Sequence, residues 1–352
     1  MNRPPSVRHR RVVAVLAAAL LALTFASPVR ADPGPPVLAD GFGLTQVAGA
    51  QTGTATNFVI SVTTAQVSGE HPIKIILPSD YFTDTAKRYP VLYFLHGSPD
   101  FPQNQLYSAL TGTDEMITVI PDGGRRGWYS NWLKQNTPAG AQNWETFHID
   151  QVIPFIDANL RTIPTKQKRA VAGISMGGFG AVRYAERHPD LFSQVATLSG
   201  DVDFSVASMD LRLSVVASLT DAAGVLCASS SDPDLCHQQD LYKPAVDSDA
   251  LYGTPYPFLN ADWRWNEASP GTHAAQLAGM GIYIYTGNND FLEFWVEGAN
   301  KHFKDALNAA QVPYYYVGYG DGSSWGCDGG HNAGCWDKDL HDLIPRLEQA
   351  FA

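Results

Sequence analysis

Basic residues are scarce in this chain relative to acidic ones. Its 352 residues hold 24 Lys and Arg against 35 Asp and Glu, a net charge of −11. The first 31 residues contain five arginines and no acid, so the remainder has 19 basic against 35 acidic side chains, a net of −16. Such a surface repels phosphate backbones and anionic bilayers, which argues against nucleic-acid and membrane-surface binding. Long apolar runs are also scarce. Only residues 12–26 form one, and no other run is long enough to cross a bilayer. That run follows the basic start Arg3, Arg8, Arg10 and Arg11 and precedes Val29-Arg30-Ala31. It therefore reads as a secretory signal peptide over residues 1–31, with the mature chain starting at Asp32. The Arg10-Arg11 pair leaves a twin-arginine route open. Cysteine is limited to Cys227, Cys236, Cys327 and Cys335. Export favours disulfides, and the simplest of the three connectivities is local, Cys227–Cys236 and Cys327–Cys335. A zinc site is the rival reading, but the spacings lack C-x-x-C knuckles. Repeats are absent, and residues 32–352 read as a single domain with one core.

What the chain does have is an alternation of short apolar runs with helical patterns. Residues 42–47, 57–64 and 72–77 read as strands by alternation, as does the continuous apolar run 91–95. Further strands are expected at 116–120, 194–198, 281–285 and 312–317. Helical periodicity marks 144–160, 179–187, 291–309 and 336–351. Alternating strands and helices imply an α/β fold with a mostly parallel sheet covered on both faces. Residues 201–279 break the pattern. They are rich in Ser, Asp, Pro and aromatics, and read as an insertion of short helices and loops over the strand ends, where α/β proteins place substrate contacts.

The organising stretch is Arg169–Gly180, RAVAGISMGGFG. A short apolar strand runs into Gly173-Ile174-Ser175-Met176-Gly177, the G-x-S-x-G pattern of a nucleophile elbow, and then into a helix. A serine at the tip of so sharp a turn has strained backbone angles and close neighbours two residues away on each side. Glycine at both places removes the Cβ atoms that would clash. The bland alternative is a tight turn whose serine caps the helix.

A serine hydroxyl needs a base, and in α/β-hydrolases the order along the chain is Ser, acid, His. Three histidines follow the strand at 281–285. His302 and His341 fall within helices. His331 lies in GCDGGHNAGC, between the last strand and the last helix, where Cys327 and Cys335 could clamp it. His331 is the expected base. The acid that orients it should follow the strand at 281–285, which leaves Asp290 and Glu293. From the residues alone Asp290 is slightly preferred, being at the loop-to-helix junction, although an N-cap is the ordinary use of Asp there. Two N–H donors should form an oxyanion hole. Met176 should supply one, and the loop after Leu95, at Ser98, the other.

These stretches together resemble the antigen 85 mycolyltransferase and esterase D-like branch of the α/β-hydrolase superfamily. The resemblance runs from about Asn57 to the C-terminus through LYFLHGS, GGRRGWYSNW, WETF, GISMGG, LYGTPYPFLNADWRWNEASP, FLEFWVEGANKHFKDALNAA and GGHNAGCW, in that order. It implies an α/β-hydrolase fold and a Ser-His-Glu triad. The family's glutamate lies in a FLE triplet opening the helix, which matches Glu293 and leaves Asp290 as the alternative. Ser175 and His331 match its nucleophile and base, and Ser98 and Met176 its oxyanion donors. The chain departs from the mycolyltransferases at the first oxyanion loop. His96 stands in place of their acid, Pro99-Asp100 follows Ser98, and the His-Gly pair resembles plain esterases. It departs again at Ala333, where the family has an aromatic.

The resulting expectation is a secreted serine esterase or acyltransferase, acting through an acyl-enzyme on an acyl ester and passing the acyl group to water or to a sugar or lipid hydroxyl. No cofactor and no metal is called for. The alternatives are a mycolyltransferase that moves long acyl chains to a sugar such as trehalose, and a catalytically silent binding protein on a hydrolase fold.

Overall fold

A computed structural model describes Met1, residues 34–220 and residues 242–352. The expected signal segment and the expected Cys227–Cys236 bridge lie outside these residues. The described residues form a ten-stranded sheet: β1 (Thr45–Gln46), β2 (Thr52–Gly53), β3 (Asn57–Thr63), β4 (Glu70–Ile76), β5 (Val91–Leu95), β6 (Ile117–Pro121), β7 (Arg169–Ile174), β8 (Gln194–Leu198), β9 (Gly281–Gly287) and β10 (Tyr315–Gly320). The order is β1-β3-β4-β6-β5-β7-β8-β9-β10, with β2 also paired to β3. The first four strands pair antiparallel, and β4 meets β6 antiparallel. From β6 to β10 every pairing is parallel. This is the α/β-hydrolase arrangement expected from the sequence.

The apolar run at β5 shows why both faces are covered. All five of its residues are buried. Val91, Tyr93 and Leu95 face one core with Phe147, Val152, Phe179 and Phe303. Leu92 and Phe94 face the other with Leu110, Leu340, Leu343 and Phe351. Side chains alternate across a strand, so a strand between two helical layers must be apolar at every position. The helices that supply the layers are α1 (residues 144–159, with a π-helical turn at Phe147–Val152), α2 (Met176–Arg187), α3 (Met209–Leu219), α4 (Trp263–Ala268), α5 (Phe291–Ala309) and α6 (Ala333–Phe351). No helix among the described residues is long and apolar enough to cross a membrane.

One strand expectation shrinks and another shifts. The run at 42–47 keeps only Thr45–Gln46, because Phe42 and Gly43 take positive φ of 56° and 78° and fold 41–44 into a tight turn. The last strand starts at Tyr315 rather than 312. Pro313 has no N–H to give a ladder, and the Val312 N–H donates back to the Leu307 carbonyl at the end of α5. The closing helix begins earlier than expected, at Ala333, because the Asn332 side chain caps it by accepting from the Gly334 N–H.

Register brings the strand ends together. Leu95 pairs with Gly173, Ile174 with Leu198, and Leu198 with Tyr285. The loops that leave β5, β7, β8 and β9 therefore emerge side by side at one edge of the sheet.

Candidate active site

Ser175 sits between β7 and α2 with φ 53° and ψ −124°, a strained conformation for a non-glycine residue. The two flanking glycines are required by contact. A Cβ on Gly173 would lie 2.3 Å from the Gly177 carbonyl oxygen, and one on Gly177 would lie 2.0 Å from the Leu95 carbonyl oxygen. The elbow is thus wedged against the end of β5. Its backbone is also tied sideways, since the Ser175 N–H donates to the Leu198 carbonyl at 3.0 Å.

The three residues matched to a triad stand in one hydrogen-bonded line. Ser175 Oγ donates to His331 Nε2 at 2.9 Å, and His331 Nδ1–H donates to Glu293 Oε2 at 2.7 Å. Glu293 is fully buried at 0% exposure, yet well satisfied. Its Oε1 accepts from the Gly287 N–H and the Ser199 hydroxyl, each at 2.7 Å, and lies 3.2 Å from Thr286 Oγ1. Trp336 meets the imidazole in a T-shaped contact, 5.0 Å between ring centres. Burial pulls the imidazole's proton affinity down. The Glu293 carboxylate more than offsets this, with help from Asp201 and Asp290, so the net shift of His331 is upward from its ordinary 6.5.

Asp290, the alternative acid, is spent elsewhere. Its Oδ1 caps α5 by accepting from the Glu293 N–H at 2.7 Å, and its Oδ2 accepts the backbone N–H of His331 at 2.6 Å. It touches the histidine's backbone, and Glu293 touches the ring. The expected Cys327–Cys335 disulfide is present and brackets this loop. His302 pairs with Asp203 at 2.8 Å, and His341 bonds the Asp337 carbonyl at 2.7 Å. Neither contacts Ser175.

The expected oxyanion donors flank the serine. Met176 opens α2, where helix geometry leaves first-turn N–H groups without intrahelical partners. Ser98 follows Gly97, on which a Cβ would lie 3.2 Å from the Ser175 Cβ. The Ser98 hydroxyl donates to the Arg125 carbonyl at 2.5 Å, which fixes the loop. His96, at the position of the mycolyltransferases' acid, is fully buried. Its Nε2 accepts from the Gly123 N–H and its Nδ1–H donates to the Gly97 carbonyl, both at 2.8 Å. With both nitrogens used, it braces the loop from behind.

Sequence reasoning missed Ser199, Thr286 and Asp201. All three lie at the ends of β8 and β9, and strand-end position was the available signal. Phe291 and Phe294 share a helical turn with Glu293 and are strongly exposed, whereas Glu293 is buried. A cavity of about 340 Å³ opens along α5 between Phe294, Trp295, His302 and Tyr316, and Ser175 is not in its walls.

The Esterase family's model matches residues 64–347. Esterase Rv1288 of Mycobacterium tuberculosis (strain H37Rv) is 39% identical over 328 residues, covering 88% of this chain and 63% of that protein. The chain thus spans less than two thirds of that relative's length. The diacylglycerol acyltransferase/mycolyltransferase Ag85A of Mycobacterium leprae is 26% identical over 249 residues, 66% of this chain and 65% of Ag85A. Among solved structures, Mycobacterium tuberculosis MPT51 (FbpC1) superposes with a TM-score of 0.60 at 19% identity, covering 83% of this chain and 98% of that one. Fold, family match and relatives agree: the chain belongs to the Esterase family, within the antigen 85 and esterase D-like branch of the α/β-hydrolases.

Proposed function

We propose that the protein is an exported serine esterase that works through an acyl-enzyme on Ser175. The observation that carries this reading is the unbroken line Glu293–His331–Ser175 at a strained elbow. With Nδ1–H held by Glu293, Nε2 is the basic nitrogen and faces the serine hydroxyl. It takes the proton as Oγ bonds to the ester carbonyl carbon. The carbonyl π electrons move to the oxygen, which the Ser98 and Met176 N–H groups stabilise. Collapse re-forms the carbonyl and breaks the bond to the alcohol, which leaves with the proton held by His331. Water, or the hydroxyl of a sugar or lipid, then repeats the steps on the acyl-enzyme. Glu293 orients the ring and stabilises the imidazolium that forms in both halves.

Export is inferred from the basic and apolar pattern of residues 1–31, together with cysteines suited to an oxidising compartment. Acyl transfer is the second reading, supported by the similarity to the diacylglycerol acyltransferase/mycolyltransferase Ag85A. A fluorophosphonate probe should label Ser175, and Ser175→Ala should abolish both labelling and ester turnover. Full turnover by Ser175→Ala would overturn the reading.

A further inference from the structure

The segment that leaves β8 runs between the nucleophile and the acid. Leu198 takes the Ser175 N–H on one side, and the Ser199 N–H donates to the Tyr285 carbonyl of β9 on the other, at 2.8 Å. The Ser199 hydroxyl is used by Glu293, and Asn300 Nδ2 is used by the Gly200 carbonyl at 3.1 Å. Asp201 comes next. It is 4% exposed, and its Oδ1 is buried with no hydrogen-bond partner. The charges of His331 and Glu293 both reach it.

An unpartnered buried carboxylate oxygen is costly, and native structures keep few of them. The neighbouring residues do not need this one. Both imidazole nitrogens are occupied, the serine hydroxyl faces the imidazole, and Glu293 is saturated. Burial pushes the Asp201 carboxyl up to about 6, with His331 opposing and Glu293 adding to the rise, so near neutrality it is mainly an anion that lacks a donor.

We propose that Asp201 is a substrate contact, its free oxygen accepting a hydrogen bond from a hydroxyl that the ester carries near the scissile bond. The enzyme is thereby selective for hydroxylated esters. This rests on the Ser175 reading, because it takes the scissile ester to lie at that serine. A charged hydrogen bond of this kind corresponds to about 10- to 100-fold in kcat/KM.

Two matched pairs of esters test it. One pair is 4-nitrophenyl butyrate and 4-nitrophenyl 3-hydroxybutyrate, with the hydroxyl on the acyl arm. The other is ethyl butyrate and 2-hydroxyethyl butyrate, with the hydroxyl on the alcohol arm. The full-length enzyme should prefer the hydroxylated member of one pair by about 10- to 100-fold in kcat/KM, and the responsive pair identifies the arm. In Asp201→Leu that ratio should fall to about one, and in Asp201→Asn, which keeps the shape without the charge, to an intermediate value. If the leucine variant does not fold, the asparagine variant carries the test. No preference in either pair, or a ratio unchanged by substitution, overturns the contact and leaves Asp201 to a buried water. The two readings fail differently. Turnover that survives Ser175→Ala removes the serine reading, whereas a ratio that survives Asp201 substitution in an enzyme silenced by Ser175→Ala removes only this inference.

Discussion

The elbow that carries Ser175 and the loop that carries His331 are held in opposite ways. The elbow is fixed by what is missing. Two glycines let the turn press into the Leu95 carbonyl, and its determinants lie within five residues of sequence plus the ends of β5 and β8. The histidine loop is fixed by what is added. It is glycine-rich at Gly326, Gly329, Gly330 and Gly334 and has little stiffness of its own. It is sewn to the segment after β9 instead. The Asn288 N–H meets the Gly320 carbonyl, the Asn289 N–H meets the Gly329 carbonyl, Asn289 Nδ2 meets the Asp328 carbonyl, and Asp290 takes the His331 N–H. The Cys327–Cys335 disulfide closes it. The geometry of Ser175 is set mainly by its own turn, while that of His331 is assembled from long-range contacts.

The sharpest break in that comparison is at the two carboxylates that serve the loop. Glu293 touches the imidazole and Asp290 the backbone, so they should not be equivalent. Glu293→Gln should lower kcat on the order of 10⁴, because the ring loses both its orienting partner and the charge that stabilises its cation. Asp290→Asn keeps a good helix cap and only loosens the loop, so about tenfold is expected. Steady-state kinetics of the two variants would decide, and the reverse ranking would hand the acid role to Asp290.

A smaller effect is expected from the disulfide. Removing it in a Cys327→Ser, Cys335→Ser double variant leaves the sheet and elbow intact but lets His331 wander. Displacement of a catalytic group on that scale costs about 10²-fold. The double variant should fold, lose kcat by roughly that factor and keep a near-normal KM. An unchanged kcat would mean that the backbone ties alone hold the loop.

The smallest expected effect lies in the pH profile. His331 must be neutral to accept the serine proton, so kcat/KM rises as pH passes upward through its pKa. Burial, opposed by Glu293, Asp201 and Asp290, leaves that pKa above 6.5, so the acid limb should be centred above 6.5. Asp290→Asn should move it slightly downward. A limb centred at or below 6.5 would show that burial outweighs the carboxylates.

The same contrast explains what was legible in the sequence. The elbow, the run at 91–95 and the helix 291–309 were readable because each depends on its own residues: glycine spacing, continuous apolarity, helical period. The acid was not. By local chemistry Asp290 is the better-placed carboxylate, and local chemistry does use it, as a cap. Which carboxylate reaches an imidazole 38 residues further on depends on how β9 and α5 are set, and only the family resemblance pointed to Glu293. Ser199 and Asp201 were hidden for a related reason. Their importance comes from β8 lying between β7 and β9, a fact of strand order that no short motif encodes. The turn at Phe42 was missed because an aromatic residue with positive φ is rare and has no composition signal.

The central claim, that chemistry passes through a covalent ester on Ser175, is most directly tested by trapping that species. The enzyme mixed with an excess of an activated acyl ester, quenched in acid before the steady state and digested, should give a peptide containing Ser175 heavier by the acyl group. Ser175→Ala should give no such adduct and no turnover. Turnover without acylated Ser175, or with the acyl group on another residue, would contradict the account.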